Sequence, residues 1–262
     1  MMAPKAFLNK AVKLGNFFAS FSYHTSKVRF VEPGSWRCNG NSNDELINKL
    51  CESGIITHAK LRAAMLKTDR AHYSNYHPYV DAPEPIGYGQ SISAPHMHAT
   101  ACEHLYSSIV KESKSKINIL DVGCGSGYLT AVLARLAGKN SKVWGIDIIS
   151  ELVEDSWKNI AKDDVSLLSN DRVELMVRSG WLGVPENPEG FDAIHCGAAA
   201  QHMPDELVKQ LKIGGTLIIP IGEHDTAQTL FRVDKSEKGH VITPLTRVAY
   251  VPLIDEEHIE YF

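Results

Sequence analysis

Three groups of residues have types and spacings that can do chemistry. The first is Ile119-Leu120-Asp121-Val122-Gly123-Cys124-Gly125-Ser126-Gly127-Tyr128. An apolar run enters a carboxylate and then a GxGxG turn that opens a helix. Glycine permits the tight turn and lets a ligand come against bare backbone. The second is Asp147, twenty residues after Gly127 and at the end of the next apolar run. A carboxylate there can accept both hydroxyls of a ribose. Together they point to an adenosine-containing cofactor at the edge of a doubly wound sheet. Pyrophosphate binders use GxGxxG and set their phosphates on the helix N-terminus. Here Asp121 stands before a GxGxG turn, where it would repel a pyrophosphate and suit a cationic amino-acid group. S-adenosylmethionine carries an ammonium and no phosphate, so it is the expected cofactor, ahead of NAD.

The third group is Ser93 with His96 and His98. Ser93-Ala94-Pro95 reads as a helix start, with Ser93 as cap or as a group facing a ligand. His96 and His98 are two residues apart and do not share a helical face. They read as packing or hydrogen-bonding histidines. His195 lies in an apolar run and reads as a core histidine. Cys124 reads as a small residue that fits the turn. The five cysteines include no CxxC pair, and no HExxH occurs, so neither a disulfide framework nor a metal site is expected.

These groups need a scaffold that brings them together. The chain has 262 residues, enough for one large domain or one domain with appendages. With 27 Lys plus Arg against 31 Asp plus Glu, the net charge is −4, which argues against a nucleic-acid partner. No apolar run is long enough to span a membrane. Residues 1–35 are basic and free of acid until Glu32, so they read as an extension, either targeting or disordered. Residues 36–115 read as a helical and substrate-loop region, and 116–262 as the nucleotide-binding core. Ser42 and Glu45 form a capping-box pattern before a helix that Gly54 stops, and Thr57 is a candidate cap for a second helix. Residues 71–92 read as a long irregular binding loop, followed by a helix from Ser93 to about Ser113. Strands then alternate with helices: Ile117–Val122, Lys142–Ile146, Arg172–Val177, Phe191–Cys196 and Gly215–Ile221, with helices at Tyr128–Ala137, Ser150–Lys162 and Pro204–Leu211. Thr229–Val233 and Val241–Leu253 have no helix between them and read as a hairpin. The fold class expected is α/β, a doubly wound, mostly parallel sheet with an antiparallel C-terminal hairpin.

The strings Ile86-Gly87-Tyr88-Gly89-Gln90-Ser91-Ile92-Ser93-Ala94-Pro95-His96-Met97-His98-Ala99, Asp69-Arg70, Leu120–Tyr128, Gly145-Ile146-Asp147, Asp192–Ala200 and Tyr250-Val251-Pro252-Leu253 occur in this order. Together they resemble the protein-L-isoaspartate (D-aspartate) O-methyltransferases, from about Trp36 to Leu253. The resemblance implies a Rossmann-like fold of the S-adenosylmethionine-dependent type. It also implies methyl transfer to the α-carboxylate of isoaspartyl residues in damaged proteins, followed by collapse to a succinimide. It puts the active-site serine on Ser93. Cofactor contacts fall on Gln90, Ser91, Ile92, Ser93, His98, Ser126, Asp147 and Ile148, and on Ser179 and Gly180, beside Asp121, Gly123, Cys124, Gly125 and Gly127 from the turn itself. Isoaspartyl proteins and peptides are the implied partners, of a cytoplasmic monomer; residues 1–35 leave mitochondrial or other targeting as the alternative.

The chain departs from the family pattern at four places: Ser179 where an acid is usual, Gln201 with His202 after Ala200, and Ile254 and Ile259 where polar residues are usual. Two other functions compete, a non-catalytic receptor for damaged protein and a methyltransferase for another carboxylate or small molecule. The first needs an additional box, for which the sequence ending at Phe262 has no room. Finally, Asn39-Gly40 is a pair that deamidates through a succinimide when flexible, which would make the protein its own substrate.

Overall fold

The computed structural model describes residues 38–111, 116–223 and 226–255. The expectations for residues 1–35 and for Ile259 lie outside the described residues. At the centre is β3 (Ile117–Val122), all six residues of which are buried. Its side chains alternate between two cores, Ile117 and Ile119 on one face, Leu120 and Val122 on the other. A strand covered on both faces needs this unbroken apolar run. On one side β3 pairs in parallel with β4 (Ser141–Asp147), which pairs with β5 (Val173–Val177). On the other it pairs in parallel with β6 (Phe191–Cys196), and β6 with β7 (Leu211–Ile221). The antiparallel strands β8 (Gln228–Ser236) and β9 (Gly239–Val248) complete the order β5-β4-β3-β6-β7-β8-β9. The expected mostly parallel sheet with its C-terminal hairpin is present. Chain order reverses direction between β3 and β6, so the loops leaving them diverge and open a crevice at the carboxyl edge.

One face carries α1 (Asn43–Glu52), α2 (Ala59–Lys67), α3 (Pro95–Ile109) and α4 (Tyr128–Ala137), packed through Leu46, Leu50, Leu61, Met65, Leu105 and Val132. Next to them, α5 (Ser150–Asp164) buries Leu152, Ser156 and Ile160, a stripe spaced by four residues. The short α6 (Ser166–Ser169) follows it, and α7 (Asp205–Gln210) covers the opposite face through Leu207 and Val208.

Several local expectations change. The Ser42 side chain accepts from Glu45 N as a cap should, but the Glu45 carboxylate takes Asn41 N and Lys49 rather than Ser42's own amide. Thr57 does not cap α2. The cap position is His58, and Thr57 and His58 both hold Glu103 instead. Ser93 does not cap α3 either. That position is Ala94, Pro95 opens the helix, and the last turn ends at Ile109. The stretch 71–92 is not structureless. It begins inside a 3-10 turn, Arg70–His72, and ends in the hairpin β1 (Glu84–Gly87) and β2 (Gln90–Ile92). The hairpin was hidden because its tip, Gly87-Tyr88-Gly89, runs at φ of 94°, 54° and 67°, and its glycines resemble loop punctuation. The sequence after Val248 leaves the sheet and returns beside Ala199, bridging it at Pro252.

The Asn39-Gly40 loop is held, against the expectation of flexibility. Asn39 Oδ1 accepts from Asp81 N at 2.9 Å, and Gly40 N donates to Tyr79 O at 2.9 Å. Succinimide closure needs that same nitrogen to attack the Asn39 side chain, so both reacting groups are engaged elsewhere.

Candidate active site

β3 ends at the carboxyl edge by delivering Asp121 and then three glycines in the left-handed region, Gly123 at φ 72°, Gly125 at 52° and Gly127 at 84°. Gly123 N and Cys124 N both donate to Ile146 O, which ties the turn to β4. At the end of β4, Asp147 Oδ2 accepts from Gly125 N at 3.0 Å and Oδ1 accepts from Ile149 N at 3.1 Å. Each oxygen keeps a further lone pair for a ligand. Burial raises the Asp147 carboxyl above the usual carboxylate range, against the pull of those amides.

A cleft of about 530 Å³ runs along this edge. Of the residues singled out from sequence, Gln90, Ser91, Gly123, Gly125, Asp147, Ile148 and Gly180 line it. It adjoins a chamber of about 350 Å³ lined by Ser91, Ile92, Ser93, His98, Asp121, Gly123, Cys124, Gly125 and Ser126. Residues from β2, the start of α3, the glycine turn and β4 thus meet around one continuous space.

Two of the expected residues stand off the wall. A Cβ on Gly127 would meet Ser156 Oγ at 3.1 Å and Ile160 Cδ1 at 3.2 Å, so this glycine serves the packing of the turn on α5. Ser179 is buried and lines neither space. Gly180 itself has room for nothing more: a Cβ would lie 2.5 Å from Val122 Cγ1 and 2.6 Å from Leu253 Cδ1. Cys124 reaches the chamber wall, but burial pushes its thiol well up and its Sγ faces Ser156 Oγ. That matches its reading as a residue chosen for size.

Asp121 is 1% exposed, and its charge is shared within the chain. Its Oδ2 accepts from the Thr130 hydroxyl at 2.6 Å, and its Oδ1 meets His195 Nδ1 at 2.8 Å. A free carboxylate waiting for a ligand ammonium is therefore not what the chamber offers; it offers an Asp–His pair. His195 is accordingly a wall residue rather than a core histidine. Its place in an apolar strand concealed this. Only its register opposite Asp121, which a parallel pairing of the two strands gives, exposes it.

Ser93 is half-buried. Its carbonyl accepts from Arg70 NH2 at 2.7 Å. Its hydroxyl neighbours the phenol of Tyr250, which burial pushes up to about 12 while Ser93 acts in the opposite direction. Both groups are neutral donors at physiological pH. His98 is held uncharged: burial drives its pKa well down, and the adjacent Arg70 adds to that. His96 faces elsewhere, its ring and its backbone N both on Asp81 Oδ1. The two histidines do not make a metal pair, and no cluster of metal-ligand type occurs among the described residues.

Two further elements complete the wall. Ile86 of β1 lines both spaces, and a Cβ on Gly125 would lie 3.1 Å from its Cδ1, so the hairpin lies directly over the glycine turn. The segment Val251–Ile254 closes the far side, fixed by Leu253 N to Ala199 O and by Trp181 Nε1 to Leu253 O. Ile254, one of the departures from the family pattern, therefore presents an apolar wall to the cleft.

The sequence profile described as protein-L-isoaspartate(D-aspartate) O-methyltransferase matches residues 41–258. A protein-L-isoaspartate O-methyltransferase from Caenorhabditis elegans is 38% identical over 223 residues, covering 85% of this chain and 97% of its own length. One from Triticum aestivum is 40% identical over 215 residues, covering 80% of this chain and 90% of its own length. A solved structure from Plasmodium falciparum, described as a beta-aspartate methyltransferase in complex with S-adenosyl-L-homocysteine, is 36% identical with a TM-score of 0.74. The match covers 82% of this chain and 99% of that one. On the match to its profile and on these relatives, the chain belongs to the protein-L-isoaspartate(D-aspartate) O-methyltransferase family.

Proposed function

We propose that this protein transfers a methyl group from S-adenosylmethionine to the α-carboxylate of L-isoaspartyl and D-aspartyl residues in damaged proteins. One observation carries the reading. Asp147, the glycine turn and Ser93 come from three separate segments and converge on one space at the carboxyl edge of the sheet. The lining suits the cofactor. Asp147 has lone pairs left for ribose hydroxyls, Ile148 and Gly180 frame a flat apolar slot, and the left-handed Gly123 and Gly125 present bare backbone. Asp121 and Asp147 stand at the two strand ends beside the turn, which disfavours a pyrophosphate. His98, Ser126 and the Asp121–His195 pair would hold the amino-acid end. When bound, S-adenosylmethionine supplies a methyl group already activated on a sulfonium.

The chain's own task is then position. An α-carboxylate has an ordinary pKa of about 3.5 and is ionised at neutral pH, so no general base is required. The Ser93 and Tyr250 hydroxyls can orient it as neutral donors, without the ion pair that would weaken its attack. Ile86 on the hairpin covers the turn and keeps water out. Positioning and water exclusion together are worth several kcal/mol of barrier.

The reading extends to a monomer working in the cytoplasm, without nucleic acid. Five free cysteines suit a reducing compartment, and the net charge is −4. No helix among the described residues is long and apolar enough to cross a membrane. The test is methylation with tritiated cofactor on matched isoaspartyl and aspartyl peptides. Label in the isoaspartyl peptide alone is expected. Equal label in both would overturn the substrate, and cofactor binding with no label would overturn the activity.

A further inference from the structure

Arg70 takes no part in the chemistry above, yet it is the largest fully buried side chain among the described residues. It enters from the 3-10 turn Arg70–His72, which Asp69 caps through Ala71 N. Its guanidinium makes three contacts. NH2 donates to Ser93 O at 2.7 Å, NH1 meets His98 Nδ1 at 3.2 Å, and Cζ lies 5.1 Å from the centre of the Tyr128 ring. Nε is buried without a hydrogen-bond partner. Among the described residues, no carboxylate forms an ion pair with it; Asp81 and Glu84 act on it only at a distance. Burial lowers its pKa to about 10, which still leaves it charged at neutral pH. Buried charges are ordinarily paired, because an uncompensated one is expensive. This one stands directly behind the two residues that line the chamber.

Arginine has donors and no acceptor. His98 Nδ1 must therefore present its lone pair to NH1, and the ring's proton sits on Nε2. That nitrogen has no hydrogen-bond partner within the described chain, and His98 lines the chamber. The chamber thus receives an N–H donor backed by an unpaired positive charge. We propose that Arg70 is a positioning residue: it fixes His98 as an Nε2–H donor and lends that donor its charge, making the chamber a receptor for a carboxylate. The carboxylate belongs either to the amino-acid end of the cofactor or to the isoaspartyl substrate. The inference rests on the reading of this space as the methyl-transfer site.

The experiment uses the full chain, with Arg70→Lys, which keeps the charge and loses the fork, and Arg70→Met, which keeps the stem alone. S-adenosylhomocysteine and methylthioadenosine, which lacks the amino-acid end, are titrated calorimetrically, and peptide KM is measured beside kcat. If the cofactor carboxylate is bound, both variants lose about 10–100-fold in S-adenosylhomocysteine affinity while methylthioadenosine changes by about twofold or less. If the substrate carboxylate is bound, peptide KM rises instead. Ring nitrogen NMR shows the Nε2–H form in the wild-type protein and a loss of that bias in Arg70→Lys. Should Arg70→Met not fold, His98→Gln supplies a donor that needs no tautomer, and Arg70→Lys placed on it costs less than on the wild type. An unchanged tautomer with additive effects, or equal losses for both nucleosides, overturns the proposal. Failure of the wild-type protein to bind either nucleoside overturns the site itself, and the role of Arg70 with it.

Discussion

The two ends of one sheet treat charge in opposite ways. At the amino edge, Asp192 of β6 is 4% exposed and fully engaged. Its Oδ1 accepts from Lys111 Nζ at 2.6 Å, and its Oδ2 from Lys212 Nζ at 2.7 Å and Asn118 N at 2.9 Å. At the carboxyl edge, Asp147 is 8% exposed and, among the described residues, receives only backbone amides, while Arg70 is completely buried and none of them forms a carboxylate ion pair with it. Similar burial therefore has two meanings. At the amino edge, where the chain supplies two lysines to Asp192, the group serves the fold. Where it withholds a counter-charge, folding bears the desolvation and the group is ready for a ligand.

The sharpest way to break this contrast is Asp192→Ala. It leaves two half-buried lysines and a buried amide without their acceptor, at a cost of about 3 kcal/mol in urea unfolding. Nucleoside affinity and kcat per folded molecule are expected to stay at wild-type values. A folded Asp192→Ala protein that no longer binds S-adenosylhomocysteine would show that the amino edge also serves the site.

Asp147→Asn makes the opposite trade. Affinity for S-adenosylmethionine falls about 10–100-fold, because an ionised acceptor is replaced by a weaker one. Stability of the unliganded variant relative to wild type rises with pH, from an initial deficit, because its amide oxygen accepts from only one of Gly125 N and Ile149 N. The sign follows from linkage: burial raises the folded carboxyl above its ordinary 3.8, so the native state holds its proton more tightly than the unfolded state does. As pH rises through the interval between those two values, the unfolded chain ionises first and native stability is lost. Asparagine does not titrate. The relative gain of Asp147→Asn is thus absent at the acid end and complete above the interval. Thermal melts across that range check it; a stability difference from wild type that does not rise with pH would mean that Asp147 is satisfied by the chain, like Asp192.

The same contrast explains what could be read from sequence. The scaffold was legible because local patterns decide it: the apolar run of β3 and the four-residue stripe of α5 need no knowledge of distant partners. The glycine turn and Asp147 were legible because both lie at strand ends. His195 was not, since its role depends on Asp121 across a parallel pairing that sequence does not display. Arg70 was not, because its contacts lie 23 and 28 residues away and a buried arginine leaves no periodic signature. Thr57 was misread as a cap, and the cap reading of Ser93, one of the two it was given, failed for a related reason. Each has the right type beside a helix start, but tertiary partners, Glu103 for one and Tyr250 for the other, claim the hydroxyl. Local chemistry predicts such residues only when nothing distant competes.

The smallest effect expected is also the most informative about the reaction. Ser93→Ala removes a neutral donor but keeps the backbone carbonyl that Arg70 grips, so the chamber retains its shape. A single neutral hydrogen bond is worth about 0.5–1.5 kcal/mol, which sets the loss in kcat at about tenfold or less. Nucleoside affinity should change by about twofold or less, since Asp147 and the glycine turn are untouched. Tyr250→Phe is the companion variant. Its hydroxyl neighbours that of Ser93, so if the two orient one carboxylate together, the double variant loses less than the product of the single losses. Initial rates beside calorimetry separate the cases. Additive losses would place the hydroxyls on different groups. An unchanged rate in Ser93→Ala would remove it from the mechanism and leave orientation to Tyr250 and the charge behind His98.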